Sequence, residues 1–192
     1  MIYSSVEIIE GIDLGQNIQP VQSVAIIGAG NMGSGIAQKT AQEEFDVQMV
    51  DREEQWVARG QSIIATFLQE AVDRRIFSPG QVEAIQGRIT GVVGTENTAK
   101  DTDLVIEAVF EDFDIKTNVF NTLNEVCGEN TILASNTSSL SVNDLASASG
   151  RPDRFVGLHF FYHPAKNRLV EVIPGEDTSA ETIARTVQYC RG

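Results

Sequence analysis

Three glycines in six residues, Gly28-Ala29-Gly30-Asn31-Met32-Gly33, follow the apolar run Val24-Ala25-Ile26-Ile27 and lead into a helical pattern through Ile36, Ala37 and Thr40. A buried strand turning at once into a helix constrains the chain strongly, because such a turn needs close backbone approaches that side chains forbid. Gly28 permits the tight bend, Gly30 lets backbone approach a pyrophosphate, and Gly33 lets the helix pack against the strand. The free N–H groups at the helix start, around Asn31, Met32 and Gly33, would meet the phosphates. Taken alone, the hexapeptide also fits an ordinary strand-to-helix turn.

The second strand, over 47–50, ends in Asp51. An acidic residue about 20 positions beyond the glycines is what a ribose 2′-hydroxyl requires, and its charge repels a 2′-phosphate. This favours NAD over NADP, with Arg52 as the opposing neighbour. The alternative for Asp51 is a solvated helix N-cap.

Strands and helices alternate along the rest of the chain, as expected of a parallel sheet covered on both faces. Trp56, Gly60, Ile63, Ile64, Phe67, Leu68, Ala71 and Val72 form one helical stripe that finishes near Ile76. A second helix begins at N-cap Ser78 with Pro79 at its first position and closes at Gly87. The pair is longer than an ordinary crossover and is expected to protrude as an arm. Further strands are expected over 89–93, 104–107, 131–135, 155–159 and 169–173. A helix with the stripe Lys116, Val119, Phe120, Leu123 and Val126 precedes the strand over 131–135. The final helix opens with a capping-box pattern, Thr178 to Glu181, and nothing follows to cover its apolar face. The expected fold is an α/β, Rossmann-type, doubly wound and mostly parallel sheet with a helical-pair arm over about 54–87. Residues 1–20 are expected to form a leader and 21–192 the NAD-binding domain.

Composition excludes several classes of partner. With 14 Lys and Arg against 27 Asp and Glu, the net charge is −13, which disfavours nucleic acid and anionic membranes because both need a basic face. Cys127 and Cys190 lie far apart, so neither a disulfide framework nor a metal site is indicated, and a reducing cytoplasmic or organellar interior is expected. No run suits a signal peptide or membrane span.

A second chemical signal lies near the C-terminus. If the strands over 155–159 and 169–173 form an antiparallel hairpin centred near Ala165, His159 faces Glu171. A carboxylate on one imidazole nitrogen fixes the tautomer and steadies the imidazolium, leaving the other nitrogen to take a hydroxyl proton. Alternatively, His159 is a hydrogen-bonded histidine at a strand end. His163 falls in the connecting loop.

The motifs Ser135-Asn136-Thr137-Ser138-Ser139-Leu140, Gly157-Leu158-His159-Phe160-Phe161 and Leu169-Val170-Glu171-Val172-Ile173 occur in order after Glu107-Ala108-Val109-Phe110-Glu111. Together with the glycine turn they closely resemble the N-terminal domain of the L-3-hydroxyacyl-CoA dehydrogenases of fatty-acid β-oxidation, from Val21 to the C-terminus. The resemblance implies His159 and Glu171 as the catalytic dyad, and Ser138 as a catalytic and substrate-binding hydroxyl on the C3 oxygen. It places Glu111 and Lys116 around the cofactor and Arg74 near the phosphates of an acyl-CoA substrate. Local alternatives stand beside these: turn capping for Ser138, a surface pair for Glu111 and Lys116, and a solvated helix end for Arg74.

Two departures qualify the resemblance. Tyr162 stands where the family usually has an asparagine that helps hold the nicotinamide. The family also continues into a helical C-terminal domain that supplies a catalytic asparagine, part of the acyl pocket and a homodimer interface, so this sequence reads as the first part of a longer protein and as weakly active or inactive by itself. The expected function is NAD-linked oxidation of a 3-hydroxyacyl-CoA. The alternatives are a non-catalytic NAD-binding protein, or a different 3-hydroxyacid dehydrogenase in which a helix lysine carries the proton.

Overall fold

The computed structural model describes residues 18–191. Its elements are β1 (Ser23–Ile27), α1 (Asn31–Gln42), β2 (Asp46–Asp51), α2 (Glu54–Asp73), α3 (Pro79–Gly87), β3 (Ile89–Val93), β4 (Leu104–Glu107), α4 (Phe113–Val126), β5 (Ile132–Ser135), α5 (Val142–Ala148), β6 (Phe155–Phe160), β7 (Val170–Pro174) and α6 (Ala180–Arg191). The expected leader falls, up to residue 17, outside the described residues.

The strands form one sheet in the order β3-β2-β1-β4-β5-β6-β7. Neighbours pair in parallel except β6 and β7, which are antiparallel. This is the doubly wound order of dinucleotide-binding sheets, whose crevice opens beyond the carboxyl ends of the strands where the order reverses, here between β1 and β4.

Alternating side chains build two cores. Val24 and Ile26 of β1 join α1 residues Ile36 and Ala37, α2 residues Ile64 and Leu68, and Ile85 of α3 on one face. Ala25 and Ile27 point the other way, with Phe120 and Leu123 of α4 and Leu145 of α5. Each large apolar side chain so buried contributes roughly 1.5–3 kcal/mol.

Helix boundaries show local chemistry at work. Ser78 and Gln81 form a reciprocal capping box at α3, with Pro79 at its first position. Contrary to expectation, α2 stops at Asp73. Arg75 adopts a left-handed φ of 58°, and the Arg75 and Ile76 N–H groups return to Val72 and Ala71 carbonyls at 2.8 Å. That is a helix-terminating motif in which glycine is the usual residue, so nothing in the sequence marked it.

The helical pair is anchored along one stripe and otherwise exposed. Val57, Gly60, Ile64 and Leu68 of α2 and Ile85 of α3 are buried, leaving the turn at Ile76 exposed. The cap of α6 is Ser179, which accepts the Thr182 N–H. Thr178 instead donates to the Phe155 carbonyl and accepts from the Gly175 N–H. Nor is α6 bare: Ala184, Val187 and Tyr189 are buried, and the Tyr189 hydroxyl lies 2.7 Å from Thr40 Oγ1 of α1. The short helix α5 was not anticipated from the sequence.

Candidate active site

The glycine turn joins β1 to α1 at the crevice. Gly28 has φ +106°, and a Cβ there would also strike the Ala108 carbonyl oxygen at 2.7 Å. A Cβ on Gly33 would come within 1.7 Å of the Gly28 carbonyl oxygen, so the first turn of α1 presses on the loop itself. Gly30 differs, because its Cβ would meet no protein atom within 4 Å. Gly30 is the N-cap of α1 and supplies no side-chain acceptor, which leaves N–H donors of the first helical turn available to an anion. An open cradle beside free donors fits a dinucleotide pyrophosphate.

Asp51, at the end of β2, grips this turn directly. Its Oδ2 accepts the Ala29 N–H and its Oδ1 accepts the Arg52 N–H, both at 2.8 Å. It is not the cap of α2, a position taken by Glu53. The Arg52 guanidinium turns to Glu53 at 3.3 Å, which lessens its opposition to the Asp51 charge.

A buried ionic network fills the ends of β4 and β5. Glu107, wholly buried, accepts from Lys116 Nζ at 2.6 Å and the Val109 N–H at 2.7 Å on Oε1, and from the Ser135 hydroxyl at 2.7 Å on Oε2. Lys116 is 1% exposed and lies 3.2 Å from Glu111 Oε2, so it is no surface residue. Glu111 Oε1 in turn accepts from the Thr137 hydroxyl at 2.5 Å and from the N–H groups of Ser138 and Ser139 at 2.9 and 3.2 Å. Burial pushes the Glu107 carboxyl above its ordinary range despite Lys116. Burial also works against ionised Glu111, but bonds from Thr137 and Ser138 and the Lys116 charge prevail and hold it at about 2.

The turn after β5 separates its hydroxyls by task. Thr137 Oγ1 accepts the Ser139 and Leu140 N–H groups, and Ser139 Oγ donates to Glu111. Ser138 is exposed, and its hydroxyl has no protein partner among the described residues, so turn capping falls to Thr137.

The register sets His159 against Glu171 as expected. His159 Nδ1 lies 2.9 Å from Glu171 Oε2, with side chains 20% and 47% exposed. Asn136 ties β6 to the serine turn by accepting the Phe160 N–H at 2.8 Å. In the β6–β7 loop Tyr162 is exposed, whereas His163 is buried with its ring 4.1 Å from that of Phe67 in α2. Burial and the Lys166 charge lower the His163 pKa. Arg74, the exposed C-cap of α2, lies about two turns beyond Phe67 and has no ion pair among the described residues. Thus the glycine turn, Asp51, Glu111, Lys116, Ser138 and the dyad all gather at the carboxyl ends of parallel strands, while Arg74 sits outside that cluster.

This combination matches a known family. The sequence pattern described as "3-hydroxyacyl-CoA dehydrogenase, NAD binding domain" covers residues 23–192. The chain belongs to this family. NAD is the cofactor of the 3-hydroxyacyl-CoA dehydrogenase NAD-binding domain, and the cradle at Gly30 and the carboxylate of Asp51 suit it. The fatty acid oxidation complex subunit alpha of Shewanella frigidimarina (strain NCIMB 400) is 41% identical over 173 residues, 89% of this chain and 24% of that protein. The chain therefore spans about a quarter of the length of such relatives. Among solved structures, FadB2 of M. tuberculosis superposes with a TM-score of 0.87 at 33% identity, over 90% of this chain and 60% of that one. The (S)-3-hydroxybutyryl-CoA dehydrogenase PaaH1 from Ralstonia eutropha gives 0.85 at 37% identity, over 89% and 60%.

Glu107, Ser135, Asn136 and Thr137 join the candidate site through their bonds to Lys116, Glu111 and β6, a grouping that the sequence pattern did not mark. A carboxylate ending an otherwise apolar strand was the available signal for Glu107, since such a group needs buried partners. No helix among the described residues is long and apolar enough to cross a membrane.

Proposed function

We propose that this domain serves the NAD-dependent oxidation of a 3-hydroxyacyl-CoA, with His159 as the general base. The observation that carries the reading is the 2.9 Å contact between His159 Nδ1 and Glu171, which leaves Nε2 to take the proton of the C3 hydroxyl. Glu171 holds the ring in that orientation and stabilises the imidazolium. The Ser138 hydroxyl donates to the C3 oxygen and steadies the charge that develops there. Bound NAD would supply the hydride acceptor for C3. Gly28, Gly30, Asn31, Met32 and Gly33 would hold its pyrophosphate with backbone, Asp51 would receive a ribose hydroxyl, and Glu111, backed by Lys116, would help hold the rest of the cofactor. Arg74 meets the phosphates of the CoA.

The lysine-based alternative has less support, because Lys116 is buried and enclosed between two carboxylates, away from the dyad's strands. A non-catalytic NAD-binding protein would not need the dyad. The proposal includes a homodimer and a reducing cytoplasmic interior. Incubating the whole protein with NAD and 3-hydroxybutyryl-CoA tests the reading: NADH should form. Binding of NADH without turnover of 3-hydroxyacyl-CoA of any chain length would select the non-catalytic alternative.

A further inference from the structure

The roles proposed above leave Glu107 without one. It is nevertheless fully buried and fully bonded, to Lys116, Val109 and Ser135. Burying a carboxylate and an ammonium costs several kcal/mol per ion, and a well-packed apolar pair of similar volume would usually serve stability as well or better. The network therefore calls for an explanation other than stability. One chain of bonds runs from Glu107 to Lys116 at 2.6 Å, from Lys116 to Glu111 at 3.2 Å, and from Glu111 to the N–H groups of Ser138 and Ser139 at 2.9 and 3.2 Å. A parallel path runs through the backbone, where the Asn136 N–H donates to the Glu107 carbonyl at 2.8 Å and Asn136 Oδ1 holds the Phe160 N–H beside His159.

We infer that Glu107 is a positioning residue, holding Lys116 and Glu111 so that the 137–139 turn presents the Ser138 hydroxyl to the reacting oxygen. The inference rests on the proposed role of Ser138. Lys116 is shared between two carboxylates, and its place along the line joining them is set by their balance. Glutamine at position 107 removes one charge, so Lys116 shifts toward Glu111 and the bonds from Glu111 to the turn lengthen or turn. Neither the glycine cradle nor the dyad is touched.

The test is a cycle in the whole protein of Glu107→Gln, Ser138→Ala and the double variant, with kcat, the KM for 3-hydroxybutyryl-CoA and NADH affinity measured for each. Glu107→Gln should lower kcat about ten- to hundredfold, as a small misplacement of a catalytic group does, while KM changes by less than about threefold and any fall in NADH affinity, through Lys116 and Glu111, is the same with or without Ser138. In the Ser138→Ala background the same substitution should lower kcat no further, because the group being positioned is gone. Amide hydrogen exchange at Ser138 and Ser139 should quicken in Glu107→Gln while exchange at Ile26 in β1 stays slow. Additive losses of kcat, or unchanged exchange at Ser138, overturn the inference and leave the proposed function intact. Normal kcat in Ser138→Ala overturns the role of that serine, and the inference with it. If Glu107→Gln does not fold, Glu107→Asp retains the charge but falls short of Lys116, and the same criteria apply.

Discussion

His159 Nδ1 and Glu171 Oε2 meet at 2.9 Å across the antiparallel β6–β7 pair, so the two members of the dyad ride on strands whose register cannot slip without parting them. A shift of one residue would turn every side chain of β7 to the other face.

The dyad should behave as one unit. In the whole protein His159→Gln should lower turnover by ~10²–10⁴-fold, the ordinary worth of a general base, with NADH affinity nearly unchanged. Glu171→Gln should lower it less, and the double variant should be little worse than His159→Gln alone. NADH formation at saturating substrate measures all three. Full turnover in His159→Gln would place the base elsewhere.

Asp51 should set the choice of cofactor. Its carboxylate ends β2 beside the glycine turn, with both oxygens accepting N–H bonds, and a 2′-phosphate brought there would be repelled, so NADH should bind at least about tenfold more tightly than NADPH. Trp56, the one tryptophan of the chain, lies a turn before Gly60, whose own close approach is to Ala29. Energy transfer from Trp56 to bound cofactor provides the titration. Asp51→Ala should narrow the preference, and equal affinities in the unaltered protein would count against this role.

Gly30 and Gly33 should separate binding from stability. Gly30→Ala places a methyl group in open space, so thermal unfolding should be nearly unchanged while NADH affinity falls. Gly33→Ala drives a Cβ into the Gly28 carbonyl and should cost about 1–3 kcal/mol or more through overpacking, with affinity lost as well. Loss of stability in Gly30→Ala alone would contradict this division.

Glu111 should contribute to the acid limb of stability. Its carboxyl is held at about 2, against an ordinary value of 4.5, so the folded chain takes up this proton less readily than the unfolded one. The stabilisation is present above pH 4.5 and is lost as pH falls toward 2. Glu107 is shifted the other way, so its contribution is complete below 4.5 and adds no slope there. Denaturant midpoints of the unaltered protein and of Glu111→Gln should converge across this interval. Parallel curves would show that Glu111 is not the group responsible.

The features legible from sequence were those whose partners are near in the chain or fixed by period. The glycine turn is six consecutive residues, and the facing of His159 and Glu171 follows from a short loop and a two-residue alternation. What escaped reading depended on distant partners or on conformations that leave no mark. Glu107 looks like the polar end of an apolar strand until Lys116, nine residues on, and Ser135, 28 residues on, close around it. Arg75 ends α2 in a conformation usually signalled by glycine. Thr178 and Ser179 both suit a helix cap, and the Phe155 carbonyl, by engaging Thr178, leaves the task to Ser179.

The 1.7 Å overlap that any side chain at position 33 would make with Gly28 bears on how such a domain decays once its ligand no longer matters. Drift would enter first at position 30, where a new side chain meets only solvent. Position 33 would stay glycine long afterwards, because there the fold itself selects. A descendant that had abandoned NAD would therefore keep the first and third glycines as relics of architecture, with the middle one erased.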